Sequence, residues 1–389
     1  MNNLSKLELG LLLTILIGSA IWFVTFVSAW FFRNRKPPST RRFETWPPVT
    51  LLKPVYGLEK QLAENLRTAC RQDYPSFQVV YSVQRADDPA IPLLRELERE
   101  FGSERVTVAI ESEQAGLNGK INNLIGALRH ARHEILVISD SDIRLRPDYL
   151  KAIVAPLADP EVGGVSTYFR ATDAGPWYEQ MELLTLNADH FAMAVFASAL
   201  HLVDFCFGAS TALTKQTLAS IGGLEGLADY LVEDNEMGQR ILRSGKRLVV
   251  VPYVVDTMVD LKSPAHWWQK QTYWDQNTKA AIPVVFAVSL ILRTIPLGLL
   301  FALLRGWDAL GWAVAAGALG MRMLAAWAVL AALGSRSGLK SSWLIPIKDV
   351  LSLFWFARAF VKRSVVWRGV EMALTRDGRL LPQQAERVG

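Results

Sequence analysis

Long apolar runs stand near both ends of the chain, and a mixed pattern lies between them. Residues 9–32 carry no charged side chain and exceed the roughly 20 residues that a helix needs to cross a bilayer. Residues 282–304 and 310–333 are also long enough to cross, and a short turn joins them. We therefore predict a transmembrane anchor over residues 1–33 and a transmembrane hairpin over residues 282–334.

The last apolar run, residues 343–361, differs from the others because it contains charges. Pro346, Lys348 and Asp349 lie within it, and charged groups are costly in the middle of a bilayer. A re-entrant or interfacial helix and a full transmembrane helix both remain open interpretations. A basic tail follows over residues 362–389.

The middle of the chain, residues 47–262, shows short apolar runs that alternate with amphipathic stretches. This alternation is typical of βαβ units, and it predicts an α/β domain with a mostly parallel sheet. The apolar stretch at 177–205 fits either a lipid entrance or a buried core. The predicted strands are residues 49–52, 77–83, 106–110, 135–139 and 163–170, and the predicted helices among them are residues 59–71, 91–101 and 122–131.

The distribution of charge predicts the membrane topology. Cations directly follow the first apolar run, at Arg33, Arg35, Lys36, Arg41 and Arg42. The positive-inside rule places them, and hence the middle domain, in the cytoplasm. Three crossings also keep the basic tail there, whereas four would leave it outside. The net charge of +5 is modest and does not indicate nucleic-acid binding, and the two cysteines lack metal-ligand spacing.

Two carboxylates follow the most apolar predicted strand. Asp140 and Asp142 come after the run at 135–139, and side chains two positions apart on an extended chain point to the same side. Ligands of open α/β sheets bind beyond the carboxyl ends of the strands, and a divalent ion there would neutralise a diphosphate. We expect a metal site, although Asp-Ser-Asp also fits the cap of a following helix.

A glycine-containing segment precedes the helix predicted at 122–131. Gly116 and Gly119 permit close approach of the backbone, and the amides at the start of a helix favour an anion. Lys120 adds a point charge that suits a diphosphate. A plain turn with a surface lysine explains the same residues.

Aromatic and basic residues are mixed over residues 263–281, directly before the transmembrane hairpin. Lys270, Tyr273 and Trp274 belong to this mixture, which is typical of the headgroup boundary of a bilayer. We predict an interfacial amphipathic segment that lies on the cytoplasmic surface.

Short motifs occur in a fixed order along the middle of the chain. Together, over about residues 47–280, they resemble the ceramide glucosyltransferase family, a GT-A-fold branch that includes bacterial glycolipid synthases and is related to family 2 glycosyltransferases. The resemblance implies a cytoplasmic GT-A nucleotide-sugar-binding domain over residues 47–262. The motifs are Lys53-Pro54, Gly57, Asp73-Tyr74-Pro75, residues 87–91, 120–123 and 140–144, Gly222-Gly223-Leu224, Glu233-Asp234 and Trp274.

The family resemblance also implies an activity and roles for named residues. The implied reaction is an inverting transfer of a hexose, with glucose from UDP-glucose expected, to the hydroxyl of a membrane lipid such as ceramide or diacylglycerol. Asp142 would be the principal ligand of Mg²⁺ or Mn²⁺, Asp140 would lie near the ribose or the metal, and Asp234 would be the general base. The remaining implied positions are Lys53, Asp87, Asp88 and Lys120 for the donor, and His190, Lys270, Tyr273 and Trp274 for the acceptor or the interface.

Two departures from the family pattern leave other interpretations open. Arg85 stands where the family has an aspartate that binds the nucleoside, so Asp87 or Asp88 would supply that contact. Lys270 and Tyr273 replace residues of the family's Gln-x-x-Arg-Trp motif. A processive polysaccharide synthase and a non-catalytic lipid-binding homologue are the alternatives to a glycolipid synthase. The expected location is a bacterial inner membrane, or the Golgi or endoplasmic reticulum in a eukaryote.

Overall fold

The chain forms two compact units. The computed structural model describes residues 4–32, 43–200, 202, 205–361, 364–367, 370–375 and 377–382. We call the units the sheet unit and the helical unit. The sheet unit comprises Lys36–Phe169, Val203–Asp260 and Val366–Gly389, and the helical unit comprises Met1–Arg35, Arg170–Leu202 and Leu261–Val365.

The strands confirm most of the predicted apolar runs. The runs at 77–83, 106–110 and 135–139 coincide with strands to the residue, and the first and fifth runs extend by a few residues. The described strands, in chain order, are β1 (Val49–Pro54), β2 (Phe77–Val83), β3 (Val106–Ile110), β4 (Ile135–Ser139), β5 (Ile143–Arg144), β6 (Val162–Thr172), β7 (Ser210–Thr214), β8 (Arg247–Met258), β9 (Ser364–Trp367), β10 (Val370–Leu374) and β11 (Leu380–Pro382).

The helices follow the amphipathic and apolar stretches. A π-helical turn at Thr185–His190 separates two of them. The described α-helices, in chain order, are α1 (Lys6–Phe32), α2 (Leu62–Cys70), α3 (Ile91–Phe101), α4 (Gly119–Arg129), α5 (Tyr149–Val154), α6 (Trp177–Leu184), α7 (Phe191–Ala199), α8 (Lys215–Ser220), α9 (Glu233–Arg243), α10 (Pro264–Ala281), α11 (Pro283–Val288), α12 (Thr294–Leu304), α13 (Ala309–Ala332), α14 (Arg336–Ser341) and α15 (Ile345–Val361).

The eight-stranded sheet has the order β3-β2-β1-β4-β7-β6-β8-β5. Strands β3, β2, β1 and β4 are parallel neighbours, whereas β7 is antiparallel to β4 and β6, and β5 is antiparallel to β8. The predicted α/β class with a mostly parallel, mixed sheet is confirmed. The strand order reverses between β1 and β4, so their carboxyl ends flank the crevice where such sheets bind ligands.

Both faces of the sheet are covered by apolar cores. Successive residues of a strand face opposite sides, so on β1 Val49 and Leu51 lie in one apolar cluster and Leu52 lies in another. All three side chains are fully buried. Burial on both faces explains why β1 is a continuous apolar run without polar alternation.

The helical unit contains the apolar helices that indicate membrane anchoring. Among the described residues, α1 and α13 are long and apolar enough to cross a membrane, and α11 with α12 makes a third span if the bent pair counts as one. With the bent pair counted as one span, the number of candidate spans equals the three predicted crossings. Helix α15 has 17 residues and is shorter than α1 and α13.

The predicted span over residues 282–304 is not one continuous helix. It divides into α11, a short 3₁₀ turn and α12, with a bend of 55°. Pro296 accounts for the break, because it has no N–H to donate to the carbonyl of Leu292 four residues earlier. Trp22 of α1 replaces that donor, with its indole Nε1 at 3.0 Å from Leu292 O. Gly18 permits the approach of α1, because an added Cβ would lie 2.0 Å from a backbone carbonyl oxygen at the break.

A buried ionic cluster joins α13 and α15 of the helical unit. Arg322 is 1 % exposed, its Nε donates to Asp349 Oδ2 at 2.9 Å, and its guanidinium also pairs with Asp189. Lys348 Nζ lies 2.9 Å from Asp349 Oδ1 and 2.5 Å from Asp189 Oδ2. The cluster pairs two cations with two anions, as buried charges require. Arg322, which lies within the apolar run 310–333, therefore faces protein rather than lipid.

Candidate active site

Asp140 and Asp142 lie in the turn between β4 and β5, at the carboxyl edge of the sheet. Thr257 Oγ1 of β8 donates to Asp142 Oδ2 at 2.7 Å. The backbone carbonyl of Asp142 accepts from Met258 N at 3.2 Å. Strand β8 therefore holds Asp142 through both its side chain and its backbone.

The two aspartates provide a suitable donor set for a hard cation. Within the part of the chain that the structure describes, no three His, Cys, Asp or Glu side chains are grouped as a metal site. Mg²⁺ at nucleotide sites is commonly held by one or two carboxylates together with substrate phosphates. Asp140 and Asp142 fit that mode of binding, in which the diphosphate supplies the other oxygens. They do not fit a closed cage made by protein alone.

Lys120 lies at the centre of an ionic cluster. Its Nζ is 2.8 Å from Asp140 Oδ1 and 3.0 Å from Glu233 Oε1, and it donates to the carbonyl of Gly208 at 3.2 Å. Burial opposes the charged form, but the two carboxylates outweigh it and the pKa of Lys120 is raised. Lys120 is therefore a permanent positive charge beside Asp140.

Asn118 fixes the start of α4 and hence the position of Lys120. Its Oδ1 accepts from the N–H groups of Lys120 and Ile121 at 3.0 and 3.1 Å, an N-cap in the usual sense. Its Nδ2 donates to Glu233 Oε2 at 3.2 Å. Gly116 is required nearby, because an added Cβ would lie 2.6 Å from a backbone carbonyl oxygen. The starts of α4 and α9 are thus tied together by one asparagine.

Asp234 lies in the first turn of α9, next to this cluster. Its carboxylate packs against Gly208, where an added Cβ would be 2.7 Å from Asp234 Oδ2. Burial and then the negative charge of Glu233 raise the pKa of Asp234 to about 7, while Lys120 opposes the rise. A carboxyl group that titrates near neutrality is suited to general-base catalysis. The role predicted for Asp234 therefore has a physical basis in this arrangement.

Lys53, predicted to contact the donor, is fully buried beneath the turn that carries the aspartates. Its Nζ donates to the carbonyl of Asp140 at 2.6 Å and to that of Ile143 at 3.3 Å. Burial lowers its pKa to about 8, against the opposing charges of Asp142 and Asp140. Lys53 is therefore placed to shape the turn from below.

Asp87 and Asp88 occupy different environments. Asp88 is buried, and its carboxylate accepts from Gly57 N at 3.0 Å and from Ala90 N at 2.8 Å, so it holds two loops together. Asp87 is exposed and pairs with Arg85 at 2.6 Å. Asp87 is therefore the more accessible of the two residues predicted to contact the nucleoside.

The residues predicted for the acceptor or the interface belong to the helical unit, and two of them contact Glu182. This carboxylate is fully buried, accepts from Trp274 Nε1 at 3.0 Å, and lies 3.3 Å from Lys270 Nζ. The rings of His190 and Tyr273 lie 5.3 and 6.1 Å from the ring of Trp274. The structure therefore brings the four predicted residues together, with Trp274 and Lys270 in contact with an acid that the sequence analysis does not select.

The C-terminal hairpin, formed by β10 and β11, contacts the segment that leads into α9. Leu380 N donates to Asp229 O at 2.7 Å, and Leu231 N donates to Gly378 O at 3.0 Å. Leu380 itself is buried. The sequence analysis interprets this region only as a basic tail. In the structure, its hairpin holds the segment before α9, the helix that carries Asp234.

Three residues of these sites have no assigned role in the sequence prediction. Glu233 belongs to the predicted Glu233-Asp234 motif, and it directly precedes Asp234 in an acidic first turn. Asn118 has one too, because asparagine before a helix favours the N-cap. Glu182 has only the weak signal of an acid within an apolar stretch, where full burial requires a partner.

Comparison with known proteins gives both a family and a fold. The family model described as Glycosyl transferase family 21 matches residues 10–380. Ceramide glucosyltransferase 1 of Caenorhabditis elegans is 24 % identical over 348 residues, which cover 86 % of this chain and 73 % of the worm protein. Ceramide glucosyltransferase of Gibberella zeae is 32 % identical over 151 residues, 36 % of this chain and 29 % of the fungal protein.

The similarity to a solved structure extends along most of the chain. A mannosyltransferase from Pyrobaculum calidifontis, in complex with GDP-Man and Mn²⁺, has a TM-score of 0.55 and 20 % identity. The similarity covers 90 % of this chain and 98 % of that chain. The two proteins share the GT-A-like α/β fold.

Proposed function

Because the chain belongs to glycosyl transferase family 21, we propose that it transfers a hexose from a nucleotide sugar to a hydroxyl group of a membrane lipid. UDP-glucose is the proposed donor, and ceramide or diacylglycerol is the proposed acceptor. The similarity to ceramide glucosyltransferases supports the reaction class. The mannosyltransferase with bound GDP-Man and Mn²⁺ is an example of this fold that holds a nucleotide sugar with a divalent cation.

The arrangement of Lys120, Asp140 and Glu233 beside Asp234 carries the proposal. The lipid hydroxyl oxygen attacks the anomeric carbon while the bond from that carbon to the diphosphate breaks. The hydroxyl proton passes to a carboxylate oxygen of Asp234, and the diphosphate leaves with the bonding electrons. A single displacement of this kind inverts the anomeric carbon and needs no covalent intermediate with the protein.

The remaining residues of the site bind the nucleotide sugar or hold the turn that carries the aspartates. A divalent cation held by Asp140 and Asp142 would neutralise charge on the leaving diphosphate. Lys120 adds a positive charge at the same place, because its ammonium lies 2.8 Å from Asp140. Lys53 keeps the turn in shape through the carbonyl of Asp140.

Topology forms part of the proposal, because a lipid hydroxyl is reached at a membrane surface. We place the sheet unit in the cytoplasm on the basis of the cations at 33–42. A reporter enzyme fused after Gly389 should be active only on the cytoplasmic side. Activity on the opposite side would contradict this orientation.

Purified full-length protein incubated with radiolabelled nucleotide sugars and lipid acceptors tests the reaction. We expect a labelled glycolipid, and Asp234→Asn should lower its rate about 10²–10⁴-fold, the usual contribution of a general base. Asp142→Asn should abolish transfer, as should removal of divalent cations. Asp159→Asn is the matched control, because Asp159 pairs with Arg247 in a surface ion pair. Undiminished transfer by Asp142→Asn would contradict the metal assignment.

A further inference from the structure

The side chain of Asn118 uses all of its hydrogen-bonding capacity. It is fully buried, and its Oδ1 accepts from the N–H groups of Lys120 and Ile121. Its Nδ2 donates to the carbonyl of Tyr230 at 2.9 Å and to Glu233 Oε2 at 3.2 Å. An amide side chain offers two N–H groups and two acceptor lone pairs, so all four are engaged. Asparagine therefore satisfies a set of partners that neither aspartate nor serine can satisfy.

The backbone around Asn118 makes further bonds to the segment that leads into α9. Asn118 N donates to the carbonyl of Ala228 at 2.7 Å, and Leu117 N donates to Asp229 Oδ1 at 3.0 Å. The loop before α4 is thus bonded at successive positions to residues 228–233. A shift of one helix start relative to the other would break several of these bonds at once.

Asn118 and Lys120 hold the two carboxylate oxygens of Glu233. Lys120 Nζ lies 3.0 Å from Oε1, and Asn118 Nδ2 lies 3.2 Å from Oε2. Glu233 is the first residue of α9, and Asp234 is the second. The proposed base therefore directly follows a residue whose side chain is fixed against the start of α4.

Four backbone amides at the start of α4 bond to protein rather than to a ligand. Asn118 occupies two of them, and Asn122 Oδ1 accepts from Ala115 N and Gly116 N at 3.0 and 3.2 Å. The sequence analysis expects amides at this helix start to favour an anion. In the structure, the ammonium of Lys120 is instead the group that this loop offers to a diphosphate, so the position of the loop determines the position of that charge.

We propose that Asn118 is a positioning residue of the transfer reaction, which fixes the start of α9, and with it Asp234, relative to Lys120. In the proposed reaction, Lys120 acts on the leaving diphosphate and Asp234 on the attacking hydroxyl, so their separation must fit both partners. A misplacement of about 1 Å can cost about 10²-fold in rate. The inference rests on the proposed function for these two roles, but the link between the helices can be measured without sugar transfer.

Asn118→Asp tests the link while it keeps the helix cap. Aspartate caps helices about as well as asparagine, so the bonds to the amides of α4 remain. The substitution removes both N–H donors and places a carboxylate beside Glu233. We expect kcat, taken from the plateau of the pH profile, to fall at least about tenfold, the effect of losing a hydrogen bond to a charged group. The KM for the nucleotide sugar should stay within about threefold, because Lys120 keeps its cap.

A second substitution reverses the direction of the lost hydrogen bond. In Asn118→Asp combined with Glu233→Gln, the introduced amide can donate to the introduced carboxylate, and the pair again carries a single negative charge. The kcat of the double variant should exceed that of Asn118→Asp at least about threefold.

Thr214→Asp is the matched control for a carboxylate added at a helix cap. Thr214 caps α8 by accepting from Thr217 N at 3.0 Å. It pairs with Ile135, at the end of β4 that is opposite to Asp140. Its kcat should stay within about twofold of the wild-type value.

Hydrogen–deuterium exchange of the full-length protein in detergent measures the link in the absence of substrates. In Asn118→Asp, the peptide that contains residues 228–236 should exchange about tenfold faster than in the wild type, whereas exchange over residues 119–129 should be unchanged. Equal acceleration of both peptides would mean a loss of local folding and would overturn the positioning role. Unchanged exchange of both peptides, or a double variant no faster than Asn118→Asp, would also overturn it.

These results distinguish the inference from the proposed function. Faster exchange confined to residues 228–236, in a protein that forms no glycolipid with any nucleotide sugar, would support the link while the proposed function fails. Glycolipid formation with a wild-type kcat in Asn118→Asp would support the proposed function and overturn the positioning role.

Discussion

The pH dependence of the transfer reaction should follow the raised pKa of Asp234, to which Glu233 contributes after burial. Burial and the charge of Glu233 raise the pKa of Asp234 to about 7. A base must be deprotonated to accept a proton, so kcat/KM should fall as pH drops below 7. At pH 6 about a tenth of the plateau value should remain, whereas a carboxyl group with an ordinary pKa would retain nearly all of it.

Glu233→Gln removes the negative charge next to Asp234. A like charge at close range raises a carboxyl pKa by about one pH unit or more, so its removal should move the acidic limb of the profile from about pH 7 to about pH 6. The variant should then keep about half of its own plateau activity at pH 6, about five times the wild-type fraction. The side-chain oxygen of glutamine can still accept from Asn118 Nδ2, which limits structural change.

The assay is kcat/KM for the lipid acceptor between pH 5 and 9, at a fixed concentration of divalent cation. Glu236→Gln is the control, because Glu236 also lies in the first turn of α9 but pairs with Arg240 at 2.8 Å. Its limb should coincide with that of the wild type. A wild-type midpoint below pH 5, or equal movement in both variants, would refute the electrostatic reasoning.

Three further predictions concern packing. Gly208→Ala should lower kcat at least about tenfold with little change in thermal unfolding, because the added methyl would lie 2.7 Å from Asp234 Oδ2 and displace the base; unchanged steady-state kinetics would contradict this. Asp349→Ala removes an anion that pairs with Arg322 and Lys348, and it should destabilise the helical unit by about 3–5 kcal/mol. Thermal unfolding in detergent measures this loss, and an unaltered unfolding midpoint would mean that the cluster contributes little. Leu380→Asp puts a charge into the buried contact of the C-terminal hairpin and should lower kcat and speed proteolysis between residues 370 and 382; wild-type values for both would show that the hairpin is dispensable.

The sheet could be predicted from the sequence because its signals are local. The run at 135–139 has four apolar residues followed by Ser139, and acidic residues flank it on both sides, so its ends coincide with those of β4. The position of Asp140 and Asp142 at the sheet edge follows from that strand and from the general location of sites in such folds. The predicted start of α4 lies three residues late, because the side-chain cap by Asn118 allows the helix to begin at Gly119.

Features that depend on contacts between distant parts of the chain could not be predicted. The break at Leu292 needs Trp22 as a donor, and the two are separated by 270 positions. Hydropathy shows that residues 282–304 are apolar. It does not show that Pro296 leaves the carbonyl of Leu292 without its usual donor, so that a donor from another helix is needed. The burial of Lys53 is similar, since its acceptors are carbonyls on another strand and turn.

The C-terminal hairpin has a consequence for the order of events during synthesis. The ribosome makes Asp229, Leu231 and the whole of α9 long before it makes Leu380, yet the backbone hydrogen bonds of that segment end on the hairpin. A nascent chain that has already made its apolar helices therefore still lacks the contact that holds the segment before α9, the helix that carries the proposed base Asp234. The proposed transfer reaction should therefore begin only after translation has passed residue 382, and a prematurely terminated chain should show none of it.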